Sequence, residues 1–124
     1  MRFLIDANCV IYLFSKCFPK LNRRVEETPV GDIGLSTIVF AELAHGSLRG
    51  KLPTMRELER LVRQMPIVAF DEAAARGFAR APCQRGQFDR LLAGHALSLD
   101  ATIIAHDVTD FAGIEGLKLE DWTK

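Results

Sequence analysis

Cysteine is scarce and unpatterned in this chain. Cys9, Cys17 and Cys83 are the only three in 124 residues, an odd number with neither zinc-finger nor CxxC spacing, which excludes a disulfide framework and a thiol redox motif. They read as reduced thiols, two of them core filler, in a cytoplasmic protein. His45, His95 and His106 share no ligand spacing, so zinc lacks its usual donors. Glycine-rich phosphate loops and a serine nucleophile elbow are also missing. The opening run FLIDANCVIYLF is interrupted by Asp6 and Asn8. It is too short to span a bilayer and carries no small-residue cleavage site, so neither anchoring nor export is expected. Charge of one sign is lacking too: 16 Lys and Arg balance 16 Asp and Glu. No global field draws in a nucleic acid or a membrane, and any such partner must be met by local patches.

What remains is an ordinary folded composition, 48% hydrophobic and 26% charged, which argues against disorder. At this length one core is expected, with residues 1–124 forming a single domain. Apolar runs predict strands over Arg2–Asp6, Ile33–Leu35, Ile67–Phe70, Ala101–Ala105 and Leu117–Leu119. Helical spacing fills Ala7–Lys16, Lys20–Glu27 after Pro19, the stretch from Ser36 or Thr37 to Gly46, Thr54 to Met65, Glu72–Arg80 and Phe88–Leu99, with a loop over Ala81–Gln87. Strands alternating with helices imply parallel pairing. The expected fold is a three-layer α/β/α sandwich around a short, mainly parallel sheet.

Against this background four acids stand out. Asp6, Glu42, Asp89 and Asp107 each lie beside an apolar segment, where a carboxylate is costly unless it is paired, hydrogen-bonded or metal-bound. Asp6 and Asp89 also read as helix caps, a role compatible with ligation. Glu42 sits amid Ile38, Val39, Phe40, Ala41, Leu43 and Ala44, a run that leaves little polar face. Asp107 directly follows a strand and is taken as the fourth acid, with Asp110 competing for the place; one of the two caps the turn into Phe111. Asp71 reads as a cap alone. In open α/β sheets ligands gather beyond the carboxyl ends of the strands, and several acids brought there would repel one another unless a cation joined them. Mg²⁺ or Mn²⁺ suits an all-oxygen donor set, and the corresponding chemistry is phosphodiester hydrolysis.

Four ordered motifs carry a family resemblance. FLIDANCVIYL, LSTIVFAELAHG, DRLLAGHALSLDATII and AHDVTDF resemble the successive acidic motifs of PIN-domain ribonucleases, in particular the VapC-like toxins of type II toxin-antitoxin pairs, over nearly the whole chain. The resemblance implies Mg²⁺- or Mn²⁺-dependent RNA cleavage with Asp6, Glu42, Asp89 and Asp107 as metal-binding and catalytic acids. Asn8 and Ser36 match supporting polar positions. It also implies a cognate antitoxin protein, and assembly as a homodimer or as a hetero-oligomer with that antitoxin.

Three departures stand beside the match. Ala7 replaces a usual threonine, the segment between Arg80 and Asp89 is short for the family, and the last motif holds both Asp107 and Asp110. For the RNA backbone, Arg49 and Lys51, the Arg56, Arg60 and Arg63 row, and Arg85 with Arg90 are candidate contacts; Tyr12 and Trp122 are candidates for stacking or for packing. The competing functions are a metal-dependent nuclease or phosphatase acting on another substrate, and a non-catalytic PIN-like module that binds a protein partner.

Overall fold

The computed structural model describes residues 1–80 and 87–124, so Cys83 and Arg85 lie outside the described residues. Five short strands, β1 (Phe3–Ile5), β2 (Ile33–Ser36), β3 (Ile67–Val68), β4 (Thr102–Ile104) and β5 (Lys118–Glu120), form one sheet in the order β3-β2-β1-β4-β5. Every pairing is parallel, with Leu4 beside Gly34 on one flank and Ile103 on the other. Parallel strands covered on both faces are apolar throughout rather than alternating. Accordingly β1 and β2 are buried at every position.

The connections place the helices. From β1 to β2, through α1 (Ala7–Ser15) and α2 (Pro19–Glu27), and from β2 to β3, through α3 (Thr37–Ser47) and α4 (Met55–Gln64), the chain steps one way across the sheet. From β3 to β4, through α5 (Glu72–Arg80) and α6 (Gln87–Leu99), it steps back. Right-handed crossovers of opposite direction put their helices on opposite faces, which yields the expected three layers. No helix among the described residues is long and apolar enough to cross a membrane.

Local chemistry sets the boundaries. Pro19 opens α2, and Thr54 with Glu57 forms a reciprocal capping box at the start of α4. Leu58 is buried on α4 while Arg56, Arg60 and Arg63 face solvent. The strand expected over Ile67–Phe70 ends at Val68 because the Phe70 amide donates to the Thr37 hydroxyl at 3.1 Å instead of to a ladder partner. α5 and α6 lie in contact through two glycines: a Cβ on Gly94 would fall on the Phe78 backbone, and one on Gly77 on the Gly94 carbonyl. Leu4, Ile5, Leu35, Ile103 and Ile104 are wholly buried at the centre of the core.

Trp122 closes the open end of the core. It is buried edge-on against Phe3, donates through Nε1 to Glu120 at 2.8 Å, and lies under the Arg24 guanidinium. Its ring is therefore used in packing and is closed to base stacking. Cys9 is buried as expected of core filler, whereas Cys17 is exposed.

Candidate active site

The strand order reverses about β1, since β2 and β4 flank it while their connections run in opposite directions. A crevice opens at such a reversal beyond the carboxyl ends of the strands, and β1 and β4 both end there. Asp6 follows β1 directly. Its carboxylate accepts from the Cys9 amide at 2.8 Å as the N-cap of α1, and its own amide donates to the Ile104 carbonyl at 3.0 Å. Cap and buried position combine: Asp6 is 7% exposed. Burial raises its carboxyl above the ordinary range despite the Cys9 hydrogen bond, and Asp110 raises it further.

Glu42 projects from the second turn of α3 and is exposed. Its carboxyl is nonetheless raised, by partial burial and by the charges of Asp89 and then Asp6. Asp89, in the first turn of α6, is half-buried and pushed up to about 6, by burial first, then by Asp110 and Asp6. Acids from four separate segments thus contribute to the raised values of Asp6, Glu42 and Asp89. Among the described residues neither Glu42 nor Asp89 has an ion-pair partner.

The two acids after β4 behave differently. Asp107 accepts from both the amide and the hydroxyl of Thr109 as the cap of the 3₁₀ turn Val108–Phe111, and these bonds hold its exposed carboxyl below the ordinary range. Asp110 lies inside that turn and repels Asp89 more strongly than Asp107 does. Phe111, the last residue of the turn, is buried in the core and anchors it.

The supporting positions separate as well. Asn8 is exposed on the first turn of α1. Ser36 is fully buried: its hydroxyl accepts from the Ile38 amide at 3.2 Å as the cap of α3 and meets His95 Nδ1 at 2.9 Å. Burial holds the His95 imidazole below its ordinary pKa, against the opposing influence of Asp71 and the Ala69 backbone. The bond between Ser36 and His95 joins the helix that carries Glu42 to the helix that carries Asp89. Sequence spacing passed over His95 because it matched no ligand pattern; its place in the apolar stretch LLAGHAL was the available signal. Arg90, a candidate phosphate contact, is instead buried and donates to the Ala112 carbonyl at 3.3 Å, tying α6 to the turn that holds Asp110. Asp71 caps α5 through the Ala74 amide, as its pattern predicts.

A cation fits the chemistry of this cluster better than its present spacing. The donors are hard carboxylate oxygens, and neighbouring carboxylates help raise the pKa of Asp6, Glu42 and Asp89, the condition that a divalent ion relieves. No three carboxyl, imidazole or thiol groups among the described residues converge closely enough to grip one ion by themselves. Mg²⁺ commonly keeps several waters and takes only one or two protein carboxylates directly, so the set suits that ion class.

Fold and site together define a doubly wound, parallel α/β protein with a carboxylate cluster at the switch point of its sheet. Comparison narrows the class: residues 3–117 match the model of the PIN domain, and the chain belongs to that family. It is 29% identical over 132 residues to a tRNA(fMet)-specific endonuclease VapC of Shigella flexneri, with 99% of each chain covered. It is 29% identical over 134 residues to ribonuclease VapC1 of Haemophilus influenzae strain R2866, covering all of both. The solved structure of VapBC-1 from nontypeable Haemophilus influenzae superposes with a TM-score of 0.84 at 28% identity over the full length of both chains.

Proposed function

We propose that residues 1–124 act as one catalytic unit, a metal-dependent endoribonuclease that is the toxin of a toxin-antitoxin pair in the cytoplasm. The observation that carries this is the mutual repulsion of Asp6, Glu42, Asp89 and Asp110, drawn from four segments to one sheet-edge crevice. The names of the relatives, VapC ribonucleases and endonucleases, support the RNA substrate, and the VapBC-1 structure supports an antitoxin partner. Asp110 takes the catalytic place that the strand-adjacent position alone assigns to Asp107, which serves as the cap of its own turn.

In this reading Asp6, Glu42, Asp89 and Asp110 would hold Mg²⁺ or Mn²⁺, in part through its waters. When bound, such an ion supplies charge stabilisation to the phosphodiester and an acidified water. Asp6 is the fixed member, anchored by the Cys9 amide. Glu42, raised in pKa and open to solvent, is suited to accept the proton of an attacking water. Ser36 and His95 hold α3 and α6 in register, so that Glu42 and Asp89 keep their separation.

The test is incubation of the purified protein with total tRNA in Mg²⁺, in Mn²⁺ and in EDTA. Cleavage in either metal, its loss in EDTA, and its loss in Asp6→Asn support the proposal. Asp6→Asn cleaving as fast as the parent refutes the site, and an inert parent refutes the activity. Suppression of cleavage by the protein encoded beside this chain tests the antitoxin.

A further inference from the structure

A groove of about 260 Å³ leads away from the acids on the α3 side, lined by Ala7, Ile11, Glu42, Leu43, Lys51 and Leu52 among others. Its lining mixes the apolar Ala7, Ile11 and Leu52 with charged side chains. Its rim carries Glu42 at one point and Lys51 at another. At this volume it lies below the usual range for a free small-molecule pocket, and suits one unit of a chain that is held elsewhere as well.

Lys51 is set in place by the backbone. Its amide donates to the Gly46 carbonyl at 3.0 Å, within a tight turn where Arg49 and Gly50 donate to Gly46 and Ser47 and where Gly50 takes a φ of +82°. Arg49 differs: its guanidinium donates to the His45 carbonyl at 2.9 Å and is engaged at the end of α3. Lys51 is exposed and has no ion-pair partner among the described residues. Leu52, beside it, is 52% exposed. An unpaired ammonium on a backbone-anchored residue, next to exposed Leu52 and adjoining Glu42 of the acid cluster, matches a nucleotide: phosphate on the cation, base or ribose on the apolar side chains.

We infer that this groove is a nucleotide subsite of the RNA substrate, in which Lys51 binds a phosphate flanking the scissile one and Leu52 and Ile11 receive the attached base or sugar. The inference rests on the ribonuclease reading of the acid cluster. The acids repel a polyanion, and Lys51 offsets that repulsion at the point of entry. It contributes to affinity and leaves the bond-breaking step to the acids.

Binding and cleavage are measured separately. The affinity for a fluorescein-labelled, mixed-sequence single-stranded RNA dodecamer is read by anisotropy in EDTA at several salt concentrations. Lys51→Ala is expected to weaken binding about tenfold and to reduce the log–log salt slope by about 0.7, the loss of one phosphate contact on a single strand. Lys51→Arg restores both. Lys118→Ala, at the opposite edge of the sheet beside Asp100, changes neither. Leu52→Ser weakens binding without changing the salt slope. In tRNA cleavage Lys51→Ala raises KM with kcat retained. Affinity unchanged in Lys51→Ala, or reduced equally by Lys118→Ala, overturns the inference. So does a Lys51→Ala protein that keeps its RNA affinity but loses its hold on the neighbouring-gene protein. A parent that binds the dodecamer yet never cleaves RNA sinks the ribonuclease reading while the Lys51 comparison still judges the groove.

Discussion

Asp89 sets the clearest energetic test. Moving its carboxyl from the ordinary 3.8 to about 6 corresponds to a ceiling near 3 kcal/mol of unfavourable ionisation, at ~1.4 kcal/mol per pKa unit. Its side chain is only half-buried, and solvent screening brings that to about 1.5 kcal/mol. Its charge also sits in the first turn of α6, where the helix dipole returns ~0.5 kcal/mol. Replacing it by a neutral isostere in metal-free protein should therefore stabilise by about 1 kcal/mol, or roughly 4 °C in Tm for a chain of this size. The sign with pH follows from linkage. A carboxyl raised in the folded state contributes stability that is complete below pH 3.8 and is lost as pH rises through about 6. The advantage of Asp89→Asn is thus largest at pH 8 and gone by pH 4. Thermal unfolding in EDTA and low salt at both values reads it directly. Millimolar Mg²⁺ should raise the Tm of the parent by mass action and that of Asp89→Asn less. An Asp89→Asn protein melting below the parent at pH 8 in EDTA would refute the account of the acids as a mutually repelling, cation-seeking set.

Two further outcomes bear on the site. Asp110→Asn should lower cleavage at least a hundredfold with Tm unchanged or raised, whereas Asp107→Asn should keep most activity and melt slightly lower through loss of the Thr109 cap; initial rates and melting curves of both variants decide between them. Ser36→Ala and His95→Ala should each cost about 1–3 kcal/mol, since each leaves a buried partner unpaired. Their double mutant should cost less than the two together by ~1 kcal/mol or more, and full additivity in urea titrations would show that the bond does not couple the helices.

Much of the fold is legible in the chain. The runs FLI, IGLS and TII are too short and too apolar for anything but buried strands, and Pro19, Thr54 and Asp71 mark helix starts by local chemistry. The apolar run after Pro66 reads two residues longer than β3, because the hydrogen bond from Phe70 to Thr37 that ends the strand joins residues 33 apart. Arg90 shows the same limit: arginine reads as a surface cation, and only packing reveals that its guanidinium is turned inward to the Ala112 carbonyl.

The sequence by itself determined the parallel α/β architecture and marked the candidate acids, since periodicity, caps and a carboxylate beside an apolar run are local properties. Tertiary structure alone decided which acids share a field. Asp107 and Asp110 are three residues apart in a chain that offers either; the turn over buried Phe111 engages Asp107 with Thr109 and leaves it the weaker influence on Asp89, while Asp110 acts on both Asp6 and Asp89. Electrostatic repulsion and desolvation depend on distances between segments, and those distances exist only once the strands have paired.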